Sequence, residues 1–308
     1  MPNVIGFDIE TSCEATTDLS GTHIICAALW SSERGAATVT YGEPLEEGGM
    51  HALQIEKFGA VALVNLLLER WHLGDIIVTW NGTGFDWPIL AQESGLFDDC
   101  RSLALHSIDP AFLMLCTKGF MIGLDAAAKG ADLGGKLGGL SGAMAPILWR
   151  KSLEEQKRVL KYVAQDARLT GQVYLKAIQE TYLGWTAGSG KKNVWSPPMH
   201  GDRMMTVEEA LSLPLPDTSW MTNPRTRESC IAWMVPKVET PPERFEEDGN
   251  APIVMIETDC SELDGDVLKL DIVHSKAARL AAWVYTAQVT QTNLELCERI
   301  NQRLRTLA

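Results

Sequence analysis

The chain has 308 residues, enough for one main domain with an appended segment, and its 45% hydrophobic and 22% charged composition is that of a folded globular protein rather than a disordered or fibrous one. Forty acidic against 27 basic side chains give a formal net charge of −13, which repels polyanions at long range and by itself weighs against a nucleic-acid partner. No apolar run approaches the ~20 residues that span a bilayer, and the N-terminus enters a strand-like pattern without a basic, apolar, cleavable prefix, so no membrane partner and a cytoplasmic location are expected.

In chain order, Asn3 to Glu10, His23 to Trp30 and Ala36 to Tyr41 read as three strands separated by turn residues, which predicts a meander. Apolar residues then recur at helical spacing from Lys57 to Leu73 (Phe58, Val61, Ala62, Leu66, Trp71), with Gly74 at the stop. Asp75 to Trp80 reads as a short buried strand closed by Asn81-Gly82, and Pro88 to Ser94 as a helix. The glycine-rich stretch from Gly119 to Gly142 alternates short helices with loops. Ser152-Leu153-Glu154-Glu155 has the form of a capping box, and Val159, Leu160, Val163, Ala167, Thr170, Val173, Tyr174 and Ala177 continue a long amphipathic helix to about Tyr182. Strands first, then alternating helices and strands, predict an α/β fold: a mixed sheet flanked by helices. Composition shifts at Thr186 to Lys192. Domains are therefore expected at 1–186 (the main α/β domain), 187–237 (a Pro/Trp/Met-rich, irregular appendage), 238–250 (an acidic linker) and 251–308 (a small α+β tail with two strand-like runs and a helix from about Lys276 to Arg305).

Seven cysteines (Cys13, Cys26, Cys100, Cys116, Cys230, Cys260 and Cys297) are scattered with no Cys-x-x-Cys pair, and the six histidines have no ligand spacing, so reduced thiols and no zinc site are expected. Carboxylates carry the chemistry. Asp8 and Glu10, in Phe7-Asp8-Ile9-Glu10-Thr11, are two apart on a strand and share a face, half of a cation site, although an exposed acidic strand end would look the same. Asp86 follows Trp80-Asn81-Gly82-Thr83-Gly84-Phe85, where a strand ends in two glycines and a helix opens; the position also suits a helix cap. Tyr162 and Asp166 lie one turn apart on one helix face, where acidic residues are more often merely solvated. The three motifs together are far more specific than any one.

In this combination and order, Asp-x-Glu-Thr at 8 to 11, Asn-x3-Phe-Asp at 81 to 86 and Tyr-x3-Asp at 162 to 166, the chain resembles the DEDD superfamily of 3′-5′ exonucleases in its tyrosine subtype, a group with a ribonuclease H-like fold. It is most similar to the proofreading exonuclease domain of B-family DNA polymerases and to stand-alone exonucleases like it, over about residues 3 to 182. The resemblance implies a mixed five-stranded sheet and two divalent metal ions, Mg²⁺ or Mn²⁺, held by Asp8, Glu10, Asp86 and Asp166. It also implies that Tyr162 orients the attacking water, and that the partner is a single-stranded nucleic acid with a 3′ end, DNA favoured over RNA. Hard cations prefer oxygen ligands, and a metal pair ~3.5 to 4 Å apart suits in-line displacement at phosphorus. An acidic cleft that needs such ions is also reconcilable with the negative net charge. A free tyrosine, with a pKa of about 10, is neutral near pH 7 and better suited to holding a water than to deprotonating it, so activity is expected to rise with pH. Thr11, Asn81, Phe85 and Trp87 are further candidates for contact with the terminal nucleotide, with core packing the competing role for the two aromatics.

Two other readings remain open: an endonuclease on the same fold, and a non-catalytic nucleic-acid-binding or scaffold protein that keeps it. Retention of all four carboxylates and the tyrosine favours activity. Ile256-Glu257-Thr258-Asp259 echoes the first motif without its leading Asp, and Gly188 to Lys192 lacks phosphate-loop spacing and reads as a flexible link. Asp109 reads as a strand-end or turn residue in preference to an outer-shell carboxylate.

Overall fold

The computed structural model describes residues 2–13, 19, 21–135, 142–187 and 189–235. The expectations placed on 238–250 and 251–308, including the Ile256 to Asp259 echo, lie outside these residues. Strands β1 (Val4–Thr11), β2 (Ile24–Ser31) and β3 (Ala36–Tyr41) form the antiparallel meander. Every residue of β2 is buried, as befits a central strand covered on both faces, whereas β3 is largely solvated at the edge. The short β4 (Ile76–Val78) pairs parallel with β1, giving the order β3-β2-β1-β4.

Five strands were expected and four are found in this sheet among the described residues. A single parallel bridge, Val78 to Ile108, stands where a fifth would lie beside β4. It goes no further because Asp109 caps, and Pro110 opens, the helix Pro110–Lys118, and proline at the first helical turn commits the backbone away from strand geometry.

One face of the sheet carries α1 (Lys57–His72), α2 (Asp86–Ser94) and α3 (Phe97–His106) over Ile5, Phe7 and Ile9. The helix α4 (Pro110–Lys118) and the shorter α5 (Leu124–Gly130) pack with Val4 and Val78 beyond the β4 edge. On the opposite face, α6 (Ala145–Trp149) and the 28-residue α7 (Leu153–Glu180) cover Cys26, Ala28 and Trp30. Only half of the capping box forms at the start of α7: Ser152 accepts the Glu155 N–H at 3.3 Å, while the Glu155 carboxylate turns to Arg158 at 2.7 Å. Two glycines let α7 lie directly on β1. A Cβ on Gly6 would collide with the Ala167 carbonyl, and one on Gly171 would come within 2.6 Å of the Trp30 ring.

Beyond α7, β5 (Leu183–Thr186) and β6 (Lys192–Trp195) make a hairpin, so the glycine-lysine stretch between them is a hairpin connection. A second hairpin, β7 (Met199–His200) with β8 (Arg203–Met204), leads to α8 (Val207–Leu211) and then α9 (Arg227–Ile231). Trp195, Met204, Val207, Ala210 and Cys230 are buried in the same core as α4, α5 and the C-terminal half of α7. Buried Arg227 donates to the carbonyls of Leu211, Leu213 and Pro214 at 2.9 to 3.1 Å, tying α9 to the end of α8. Among the described residues no helix is long and apolar enough to cross a membrane.

Candidate active site

The site is built where β1 leaves its neighbours. On one side Asp8 faces Ala28 and Glu10 faces Cys26 of β2, two small residues that leave room for α7 above the carboxylates. A register irregularity follows at once between Glu10 and Thr11, the kind of break that re-aims side chains at a sheet end. Phe7 and Ile9 point the other way, into the core, where the Phe7 ring lies 5.2 Å from Trp87.

From above, α7 contributes Asp166 and, one turn earlier, Tyr162, both buried. Asp8, Glu10 and Asp166 each offer a carboxylate oxygen such that all three oxygens lie within 4.8 Å of one another. Half-buried Asp8 and buried Glu10 and Asp166 thus form a compact all-oxygen donor set from two elements far apart in the chain. Such a set matches a hard divalent cation, whose ligand distances of about 2 Å (Mg²⁺) to 2.6 Å (Ca²⁺) need oxygens converging over this range.

Asp86 arrives from the opposite side and is not one of that trio. Its Oδ1 accepts the backbone N–H of Ile9, between Asp8 and Glu10, at 3.0 Å. Pairing of β4 with β1 ends at Gly6 and Val78, so the Asp86 carboxylate takes up an N–H that the strand no longer reaches. Asp86 is 3% exposed and sits in the first turn of α2, where the helix dipole also favours a negative charge.

The loop that delivers Asp86 is held by Asp109. This wholly buried carboxylate accepts the N–H of Asn81 at 2.9 Å, the N–H and hydroxyl of Thr83 at 3.0 and 2.9 Å, and, as N-cap of α4, the N–H of Phe112 at 3.0 Å. Burial pushes its carboxyl above the ordinary value, against the pull of those four hydrogen bonds. Asn81 adopts the left-handed conformation (φ 63°), Gly82 is packed against Thr79 where a Cβ would lie 2.5 Å away, and the Trp233 indole donates to the Thr83 carbonyl at 2.8 Å. Sequence reasoning treated Asp109 as a turn residue; its reach to the loop 26 and 28 residues earlier is visible only in three dimensions. Asp109-Pro110, a capping residue followed by proline, was the available signal for α4.

The other candidates fall in different places. Thr11 is buried and donates its hydroxyl to the Cys13 carbonyl at 2.8 Å. Phe85 is partly buried against the α1–α3 core, and Trp87 lies wholly inside it, with no surface on which a base could stack in this conformation. Cys26, beside Glu10, is wholly buried, and burial together with the Glu10 and Asp8 charges pushes its thiol well above the usual range. Among the described residues Cys13, Cys26, Cys100, Cys116 and Cys230 are free thiols, all buried except Cys13.

Compared with known families, residues 5–178 match the RNase_H_2 model of the RNase H superfamily, a span that contains all three acidic motifs. No curated protein matches the chain significantly.

Proposed function

The chain belongs to the RNase H superfamily, and from that premise we propose that it is a metal-dependent nuclease that hydrolyses single-stranded nucleic acid from the 3′ end, with DNA the favoured substrate. Superfamily membership supports nucleic-acid hydrolysis assisted by divalent metal. The observation that carries the finer reading is the convergence of Asp8, Glu10 and Asp166 within 4.8 Å, with Tyr162 a turn away on α7 and Asp86 braced against Ile9.

In this reading Asp8, Glu10, Asp86 and Asp166 hold two divalent cations, Mg²⁺ or Mn²⁺. The chemistry such a pair supplies is acidification of a water and neutralisation of charge on the departing 3′ oxygen. Tyr162 donates or accepts a hydrogen bond that points the attacking water at phosphorus, and its burial excludes bulk water from that position. Asp109 and the Thr83 loop position Asp86, while Thr11, Asn81 and Phe85 flank the terminal nucleotide.

A 5′-labelled single-stranded DNA and its RNA counterpart, incubated with Mg²⁺ or Mn²⁺, test this directly. The expected result is a ladder shortening from the 3′ end, abolished by chelation, by Asp8→Ala and by Asp166→Ala, with a circular single strand left intact. Tyr162→Phe is expected to lose about 10²-fold or more in kcat while keeping metal affinity, as removal of a water-orienting group should. Cutting of the circle would replace the exonuclease by an endonuclease, and unchanged turnover in Tyr162→Phe would remove the tyrosine from the mechanism.

A further inference from the structure

We propose that the segment between α8 and α9 extends the substrate path, with Arg225 holding a backbone phosphate and Trp220 stacking a base upstream of the scissile bond; the identity of the strand rests on the nuclease reading above. Neither residue belongs to the three acidic motifs, and both lie outside the 5–178 family match.

The placement of Arg225 is specific. Its Nη2 lies 2.6 Å from where a Cβ of Gly84 would stand, and Asn81 Oδ1 is 3.5 Å from the same point. The guanidinium therefore occupies the space left by a glycine two residues before Asp86. Its other nitrogen contacts Met121 Sδ at 3.7 Å, and the side chain is exposed. Among the described residues no carboxylate pairs with it, in a chain with a net charge of −13. The contrast with Arg227 is informative: two residues on, that guanidinium is buried and consumed by three carbonyls, a structural role. Arg225 has charge, a planar fork of donors and exposure to spend on an oxyanion such as a phosphodiester.

From Arg225 the surface continues to an aromatic platform. Gly119 has Thr218 where its side chain would be, so the loop bearing Trp220 rests on Gly119 and Phe120. The Phe120 ring stands edge-on to Trp220 and to Trp185, with centroids 6.2 and 6.3 Å away. Trp220 is 67% exposed, yet its indole N–H is satisfied by the Asp217 carbonyl at 3.2 Å, so the ring is held by its own turn. Gly84, Arg225, Met121, Phe120 and Trp220 form a chain of neighbours leading away from the loop that carries Asp86. A cation followed by a fixed, exposed indole is the pairing that binds single strands irrespective of sequence.

The test compares long and short substrates with the full chain. Arg225→Gln and Trp220→Ala are each expected to weaken binding of a 5′-fluorescein-labelled DNA dodecanucleotide about ten-fold, measured by anisotropy in the Asp8→Ala background. Arg225→Gln is further expected to lower the slope of log affinity against log salt by about 0.7. Hydrolysis of a dinucleotide, too short to run from the carboxylates past the Gly84 loop to Trp220, should keep its kcat/KM in Trp220→Ala. Parallel losses on both substrates in that variant would mean that it merely disturbs the Gly84 loop, and would overturn the inference. Unchanged dodecanucleotide binding would overturn it too while leaving the nuclease reading intact. A wild-type chain that hydrolyses neither substrate, yet binds the dodecanucleotide and loses that binding on Arg225→Gln, would sink the nuclease reading and keep the path.

Discussion

Gly6 lies two residues before Asp8 on the same face of β1, where any side chain would strike the backbone of α7 at Ala167, the residue after Asp166. Its hydrogen thus sets how deeply Asp166 sits over the strand. Gly6→Ala is expected to destabilise the fold by about 1 to 3 kcal/mol, the usual cost of overpacking, and in addition to loosen the proposed metal site. The check is a comparison with Leu103→Ala, a buried change in the α1–α3 core remote from the carboxylates. At matched loss of thermal stability, Gly6→Ala should show the larger loss of Mn²⁺ affinity, and equal losses would leave the glycine with a packing role only. Trp87 teaches the converse at this scale. One residue after Asp86 it reads equally as a stacking aromatic or a core residue, and at the start of α2 it turns into the core onto Phe7.

Among the elements, α8 is the best secured for its size. Thr206 and Glu209 close a full capping box, and Glu209 also takes a bidentate pair of bonds from Arg203 at 2.7 and 3.0 Å and one from His200. The Arg203 bonds, helped by the Thr206 N–H and His200, hold its carboxyl down at about 2. Because the folded value lies below the unfolded one near 4.5, this contribution is fully present above pH 4.5 and is lost as pH falls toward 2. Glu209→Gln is therefore expected to flatten the acid dependence of stability between about pH 4.5 and 2, read as the difference between wild-type and variant urea midpoints at each pH; parallel curves would contradict it. Strands β1 to β3, short runs bounded by turn residues, and α7, with its amphipathic period, are legible in the sequence to within a residue or two at most ends. Among the helices, legibility fails where burial erases the pattern. The run Pro110-Ala-Phe-Leu-Met-Leu-Cys is buried throughout and shows no amphipathic period, so α4 was not foreseen; α3 was missed as well, although Phe97, Cys100, Leu103 and Ala104 fall at helical spacing. In α1, apolar residues occur all round: the buried ones are Ala60, Val61, Leu63, Val64 and Leu67, while Phe58, Ala62 and Leu66, read as part of the apolar face, are exposed. The first and third acidic motifs were legible because strand and helix periods put their members on one face, and the second because two glycines precede a helix start; the Asp109 brace and the placement of Arg225 were not, since both reach across loops that no local period describes.

For the whole molecule, an excess of 13 negative charges and a site in which carboxylates crowd within 4.8 Å have a common thermodynamic consequence. Repulsion that the fold must hold together is relieved by a bound cation, so saturating Mg²⁺ or Mn²⁺ should raise the melting temperature by several degrees, since binding at 100 times Kd adds about 2.7 kcal/mol. Asp166→Ala should abolish most of that shift, and an undiminished shift would locate the stabilising ions elsewhere. The long separation between the two halves of the trio carries a further consequence, for the order of events during synthesis. Residues 8 and 10 leave the ribosome some 150 residues before Asp166 does. Until α7 has been made and has docked across Gly6, the growing chain carries Asp8 and Glu10 without Asp166, the third carboxylate of the cluster. On the proposed nuclease reading, a polypeptide emerging beside ribosomal and messenger RNA has no complete site until its main domain is nearly made.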